Sequence, residues 1–280
     1  MGEPADSQGG AAEAGVPPSG TGRVGGGSAA AVARAGPLNT LAGHYAAYFA
    51  SDRELEWYRV SAVDKARNIM EICAGVPHES VLDIGAGDGA VLHRLDEAGF
   101  GRRLCAVEIS SSGLAALAAK RWTRLVESRE FDGYHVPYAD GAFDLAILSH
   151  VVEHVEHPRL LLREAARVAR RIYIEVPLEH FRLNRRLCGD FVLDSTGHIN
   201  FFDAGLFRFL VQSSGLRVLR QEVRHTSAAP YRFAQGRRGL VKYAIKEGAL
   251  RLAPRLAPKY FMYHGAILCE PAASTEAASA

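Results

Sequence analysis

Beyond about residue 80, short apolar runs alternate with stretches whose apolar positions recur every three or four residues. Buried strands and amphipathic helices in alternation give that pattern, and it predicts a mostly parallel sheet with helices on both faces. The runs Val81–Ile84, Arg103–Glu108, Leu145–Ser149 and Arg171–Pro177 read as parallel strands. Leu145–Ser149 is apolar on both faces, as a central parallel strand must be. Helical spacing follows in Val91–Leu95, which stops at Gly99, in Leu114–Arg124, and in Arg159–Arg170, where Leu160, Leu161, Ala165 and Val168 form one face. Asp203 caps a helix through Phe207, Leu210 and Val211, and Gly215 ends it. Leu216–Val223 and Tyr260–Cys269 read as a final antiparallel hairpin at the sheet edge.

The flanks read differently. Residues 1–36 are rich in Gly, Ala, Ser and Pro without apolar periodicity, a disordered tail by composition. Residues 37–78 predict two helices before the first strand, with His44, Tyr45, Tyr48 and Trp57 as a lid over a bound molecule, although covering one sheet face would explain the same pattern. One domain over 37–270 follows, with a second disordered tail at 271–280.

Composition narrows the class. The 280 residues are 48% hydrophobic, enough for one large core, and the net charge of +2 gives no reason to expect nucleic acid as partner. Cys73, Cys105, Cys188 and Cys269 form no C-x-x-C pair and suit reduced, buried thiols in the cytoplasm. No apolar run approaches the roughly 18 residues of a membrane-spanning helix.

The candidate chemistry begins at Val81-Leu82-Asp83-Ile84-Gly85-Ala86-Gly87-Asp88-Gly89, a strand, a glycine turn and a helix start. A dinucleotide fingerprint needs G-x-G-x-x-G to seat a pyrophosphate, whereas this loop is G-x-G-x-G with an acid before it, which would repel phosphate. Glu108 ends the next strand 19 residues beyond Gly89, the spacing at which a carboxylate can accept from both ribose hydroxyls of an adenosine. Farther on, Phe131-Asp132-Gly133 is followed by Pro137 and the turn Asp140-Gly141-Ala142-Phe143-Asp144.

These three motifs, in this order, resemble the class I S-adenosylmethionine-dependent methyltransferases. The resemblance implies a Rossmann-like α/β fold with a seven-stranded, mostly parallel sheet. It implies S-adenosylmethionine as cofactor, held by Asp83, Gly85, Ala86, Gly87, Gly89, Glu108, Ile109, Asp132, Gly133 and Ser149. Asp132 would accept from the adenine amino group. Methyl transfer to oxygen of a small-molecule, glycan or lipid-linked acceptor is the expected activity. The alternatives are a non-catalytic cofactor binder of the same fold and a nucleotide-dependent oxidoreductase, which the glycine spacing disfavours.

His150, Glu153 and His154 follow the fourth strand. Read as H-x-x-E-H they would be a zinc-protease signature, but that needs both histidines on one continuous helix, and here a buried strand ends at His150 and Pro158 opens the next helix. In one reading Glu153 and His154 only cap and pack the loop. In the other, His150, Glu153 and His154 resemble the E-x-x-E-H metal triad of methyltransferases acting on quinone or RNA hydroxyls, where a divalent ion lowers the acceptor's pKa. His stands where that triad has its first Glu. His150, and His198 in Thr196-Gly197-His198, are the candidate bases, and Leu178–Ser195 is where such enzymes often build acceptor specificity.

One segment stands apart. Between 231 and 259 there are eight Lys or Arg against Glu247 alone, a net +7. Leu240, Val241, Ala244, Ile245, Ala249 and Leu252 would form a hydrophobic seam, and Arg238, Lys242 and Lys246 a solvated face. The basic insertion, 224–259, is expected to touch an anionic membrane or an anionic acceptor through 231–259.

Overall fold

A computed structural model describes residues 52–180 and 197–272. Seven strands form one sheet: β1 (Ser80–Ile84), β2 (Arg103–Glu108), β3 (Leu125–Glu130), β4 (Phe143–Ser149), β5 (Ala169–Pro177), β6 (Leu216–Arg224) and β7 (His264–Pro271). Their order is β3-β2-β1-β4-β5-β7-β6. The first five run parallel, and β7 lies antiparallel between β5 and β6. Because β1 pairs with β2 on one side and β4 on the other, the chain reverses direction across the sheet at β1. The crevice outside the carboxyl ends of strands at such a reversal is where ligands of these sheets bind.

The helices are α1 (Asp52–Ile72), α2 (Ala90–Glu97), α3 (Ser111–Ala119), α4 (Pro158–Val168), α5 (Ala204–Ser213) and α6 (Ala228–Leu252). Strand alternation sorts the core into two layers. Leu82, Ile84, Cys105, Val107, Leu148 and Ile174 face Leu161, Ala165 and Val168 of α4 and Phe207 and Val211 of α5. Their neighbours Val81, Leu104, Ala106, Leu145, Ile147 and Tyr173 face Ile69 and Ile72 of α1 and Leu92 and Leu95 of α2. Cys73, Cys105 and Cys269 are free and buried, as the sequence suggests.

Several local details depart from the expectation. On α4 it is Leu162 that is buried, while Leu160 faces solvent. α3 stops at Ala119 rather than Arg124, since Trp122 folds its indole N–H back to Leu117 O (2.8 Å) and Lys120 turns to Asp88. β3 is a half-exposed edge strand, Leu-Val-Glu-Ser-Arg-Glu, whose weak alternation gives little sequence signal. β7 runs to Pro271 and the Ala272 N–H still bonds Gly215 O (3.0 Å), so the tail expected from 271 begins inside the sheet. The tail at 1–36, the first N-terminal helix with His44, Tyr45 and Tyr48, Cys188, and most of Leu178–Ser195 lie outside the described residues.

The basic insertion is the largest correction. α6 is broken at Gly236 (φ 58°), and a Cβ at Gly239 would strike the backbone of Tyr231, so the two halves fold closely together. The inward face is aromatic: His225 stacks on Tyr243 (5.1 Å between centroids) and packs edge-on against Tyr231 and Tyr263. Lys246, expected on the solvated face, instead points inward, bonds Tyr231 Oη, and lies 5.2 Å over the Tyr263 ring. Burial, helped by Lys242, lowers its pKa to about 8. The stripe expected to pack inward is exposed, with Val241 61%, Ile245 55% and Leu252 89% accessible.

Candidate functional site

The glycine loop joins β1 to α2 at the reversal point. Gly85, Gly87 and Gly89 all have positive φ (74°, 57° and 74°), where a side chain is strained. At two of them space is also missing: a Cβ on Gly85 would sit 2.8 Å from Val151 Cγ2, and one on Gly89 would collide with Leu117. The Gly85 and Ala86 N–H groups bond Val107 O (2.8 and 3.2 Å), which ties the loop to β2. Glu108 completes the tie, one carboxylate oxygen accepting from Gly87 N–H (2.8 Å) and the other from Ser110 N–H (2.9 Å). Two further acceptor positions of that carboxylate remain.

Asp83 is buried at the end of β1. Burial first, then the neighbouring Glu108 charge, push its pKa up to about 7, against the pull of Lys65. Asp132, beyond β3, is exposed, and one of its oxygens caps the following turn through Tyr134 N–H (2.8 Å) and His135 N–H (2.6 Å). Those backbone bonds hold its carboxyl below the ordinary range. Gly133 lies against Ile109, 3.7 Å from where a Cβ would stand, and Ser149 Oγ is buried without a hydrogen bond. These residues therefore line the carboxyl ends of β1, β2, β3 and β4 in succession.

The second half of the site is built around His150, the one non-glycine residue with positive φ (59°) among those described. Such a conformation is uncommon and is held here by the His150 N–H bond to Glu175 O (2.8 Å). The ring lies between two fully buried carboxylates, Nδ1 3.1 Å from Glu153 and Nε2 3.8 Å from Glu175. Glu175 also accepts from Asn68 (3.1 Å), from His264 Nδ1 (2.9 Å) and from Tyr173 Oη (2.5 Å). Burial alone would raise the Glu175 carboxyl, but His150 and His264 hold it well below the usual range. At Glu153 burial is likewise outweighed, by His150 and then by His154 and His198, and the carboxyl falls to about 2. Lys65 of α1 faces this group; burial lowers its pKa against the attraction of Glu175, Glu153, Asp83 and Asp88.

Donor atoms of this region converge in two sets, His150–Glu175–His264 and Glu153–His154–His198, each within 4.8 Å. The triad His150, Glu153 and His154 is thus divided, because His150 turns toward β5 and β7 while His154 turns toward the loop before α5. His198, on that loop, hydrogen-bonds Glu179 through Nδ1 (2.7 Å) and stands edge-on to His154 (4.7 Å between centroids).

A methyltransferase-domain family profile matches residues 49–221. The chain belongs to the class I S-adenosylmethionine-dependent methyltransferase family. A curated relative described as an uncharacterized methyltransferase, from Mycolicibacterium gilvum (strain PYR-GCK), is 33% identical over 91 residues, 32% of this chain. The chain spans only 35% of that relative's length. Among solved structures, the [4+2]-cyclase SpnF superposes with a TM-score of 0.54 at 19% identity, over 74% of this chain and 81% of the other. Geranyl diphosphate C-methyltransferase from Streptomyces coelicolor A3(2), determined with Mg2+, geranyl diphosphate and S-adenosyl-L-homocysteine, gives 0.54 at 14% identity, over 74% and 76%. At these identities the structures establish the shared fold.

The matched stretch of the methyltransferase domain takes in the glycine loop, Glu108, Asp132 and the His150 region. Lys65, Asn68, Glu175 and His264 escaped the sequence reading. A lone acid in the apolar strand Arg171–Pro177 is a signal that could have found Glu175, because an unpaired charge inside a central strand demands partners. His264 and Asn68 gave none, since pairing across 89 and 107 residues is set by the sheet order.

Proposed function

We propose that the protein transfers the methyl group of S-adenosylmethionine to a hydroxyl oxygen of a small-molecule, glycan or lipid-linked acceptor. The observation that carries the oxygen assignment is His150. It stands at the end of β4 beside the glycine loop, with Nδ1 toward the Glu153 carboxylate and Nε2 buried without a hydrogen bond. A histidine ring at this place is the candidate base for an acceptor hydroxyl. Bound S-adenosylmethionine would supply an electrophilic methyl group whose sulfur leaves as a thioether, and His150 would take up the proton of the acceptor hydroxyl. Most of the rate would come from aligning donor and acceptor. Asp83 would face the cofactor's ammonium and Glu108 its ribose. Fold alone does not choose the reaction, since SpnF shares it and is described as a cyclase. The test is transfer of label from methyl-labelled S-adenosylmethionine into an extract of the producing cell. Alkali-stable label in product, lost in His150→Ala, supports the reading. S-adenosylhomocysteine binding without any transfer would leave the non-catalytic binder.

The acceptor would be met at an anionic membrane surface. Val241, Ile245 and Leu252 lie within about 40° of one another around α6. Arg238 and Lys242 flank them on one side and Arg237 and Arg251 on the other, an interfacial pattern. No described helix is long and apolar enough to cross a membrane. Wild type should co-sediment with anionic but not neutral vesicles at low salt. Arg237, Arg238 and Lys242 changed together to Glu should abolish this without altering cofactor affinity, each charge being worth roughly 1 kcal/mol. Equal binding to neutral vesicles, or none to either, would refute it.

A further inference from the structure

We propose that Lys246 is a reactive amine that forms an imine with an aldehyde bearing an anionic group, at a site sharing no residue with the glycine loop or the His150 group. Four ionisable side chains form one hydrogen-bonded chain there. Glu247 Oε2 meets His225 Nδ1 (2.9 Å), His225 Nε2 meets Tyr231 Oη (3.1 Å), and Lys246 Nζ bonds the same hydroxyl. The His225 side chain is only 5% exposed, whereas Lys246, at the end of the chain, is partly open to solvent. An amine within reach of a ligand and backed by a proton relay is what imine formation requires.

The fold holds the amine in place. α6 breaks at Gly236, and the close approach of Gly239 to the Tyr231 backbone sets the second half of the helix against the first. Tyr263 Oη donates to Lys246 O (2.7 Å), which fixes that turn of α6 against the residue before β7. The surrounding rings desolvate the ammonium and Lys242, one turn earlier, repels it, and together they bring its pKa to about 8. At pH 7.5 about 0.24 of such an amine is neutral, against about 0.001 of an ordinary lysine. The Tyr263 ring, 5.2 Å from Nζ, attracts the ammonium, but it attracts a protonated imine equally and so does not oppose the reaction.

In the reaction the Nζ lone pair attacks the aldehyde carbon, the N–C bond forms and the carbonyl oxygen becomes a hydroxyl. Nζ then gives up a proton, the hydroxyl gains one and leaves as water, and the C=N bond forms. Tyr231 Oη, backed by His225 and Glu247, stands where it can take the proton from nitrogen and return it to the departing oxygen. No oxidant or reductant enters the balance. Lys242 gives the reason for an anionic group on the aldehyde. It is exposed, makes no ion pair among the described residues, and lies four residues from Lys246 on the same helix, so an anion attached to the aldehyde would sit against it.

The labelling needs no cofactor, so its outcome is independent of the methyl-transfer reading. The test treats the full chain at pH 7.5 with a limiting amount of pyridoxal 5′-phosphate, reduces the imine with borohydride and maps the labelled lysines by mass spectrometry, with pyridoxal as the comparison lacking the phosphate. Lys246 should carry roughly tenfold more label than the exposed Lys259, and this preference should be larger with the phosphate than with pyridoxal. Lys242→Gln should erase the difference between the two aldehydes. Tyr231→Phe should slow labelling of Lys246 several-fold while leaving Lys259 as it was, and Lys246→Met should remove the label without changing S-adenosylhomocysteine affinity. The wild-type map decides even where a variant fails to fold. Equal label on Lys246 and Lys259, no label on Lys246, or the same preference with both aldehydes would overturn the proposal.

Discussion

Asp83 gives the account its most quantitative consequence. Burial and Glu108 raise its carboxyl to about 7 in the protein without cofactor, so near pH 6 it is mostly neutral. A cofactor ammonium placed against it would favour the carboxylate, and binding should then release a proton. If only the ionised form binds, the competent fraction rises from about 0.09 at pH 6 to about 0.76 at pH 7.5, an eightfold gain in affinity or about 1.2 kcal/mol. The stability sign is the opposite one. A carboxyl whose folded pKa exceeds its unfolded value of 3.8 contributes stability that is complete below about 4 and is lost as pH rises through about 7. S-adenosylhomocysteine should therefore raise Tm more at pH 7.5 than at pH 6. Calorimetry of S-adenosylhomocysteine at both pH values, in buffers of different ionisation enthalpy, measures affinity and proton release together. Equal affinities at the two pH values, or the same slope in Asp83→Asn, would refute the reasoning.

Glu108→Ala removes the acceptor of Gly87 and Ser110 as well as the proposed ribose contact, and should weaken S-adenosylhomocysteine by about 2 kcal/mol or more, roughly thirtyfold. Unchanged affinity in a folded variant would contradict this role. Gly89→Ala forces a side chain into positive φ and against Leu117, so denaturant unfolding should show a loss of roughly 2–4 kcal/mol; a neutral result would mean that the loop can relax. Leu148→Ala empties a site between β4 and the layer under α4, and should cost about 2–5 kcal/mol, read from the same denaturant midpoint.

Much of this was legible because it is local. The apolar run ending in Asp83, the glycines after it and Glu108 at the next strand's end carry their meaning within about 30 residues, the span of one strand-helix-strand unit. The same holds for the Asp203 cap, whose carboxylate accepts from Gly205 and Leu206 N–H (2.8 Å each). What was not legible depends on contacts made across the sheet. His198 joins Glu153 only because residues 199 and 200 bond the turn after β4. α6 misled for a related reason: its apolar stripe predicts burial, but its aromatic side packs around Lys246 and leaves the stripe outward.

The most direct measurement is a calorimetric titration of the full chain at pH 7.5 with S-adenosylhomocysteine and, separately, with NAD. One site for S-adenosylhomocysteine, lost or greatly weakened in Glu108→Ala, with no heat from NAD, is the predicted result. Binding of NAD in place of S-adenosylhomocysteine, or binding of neither by a folded protein, would contradict the account.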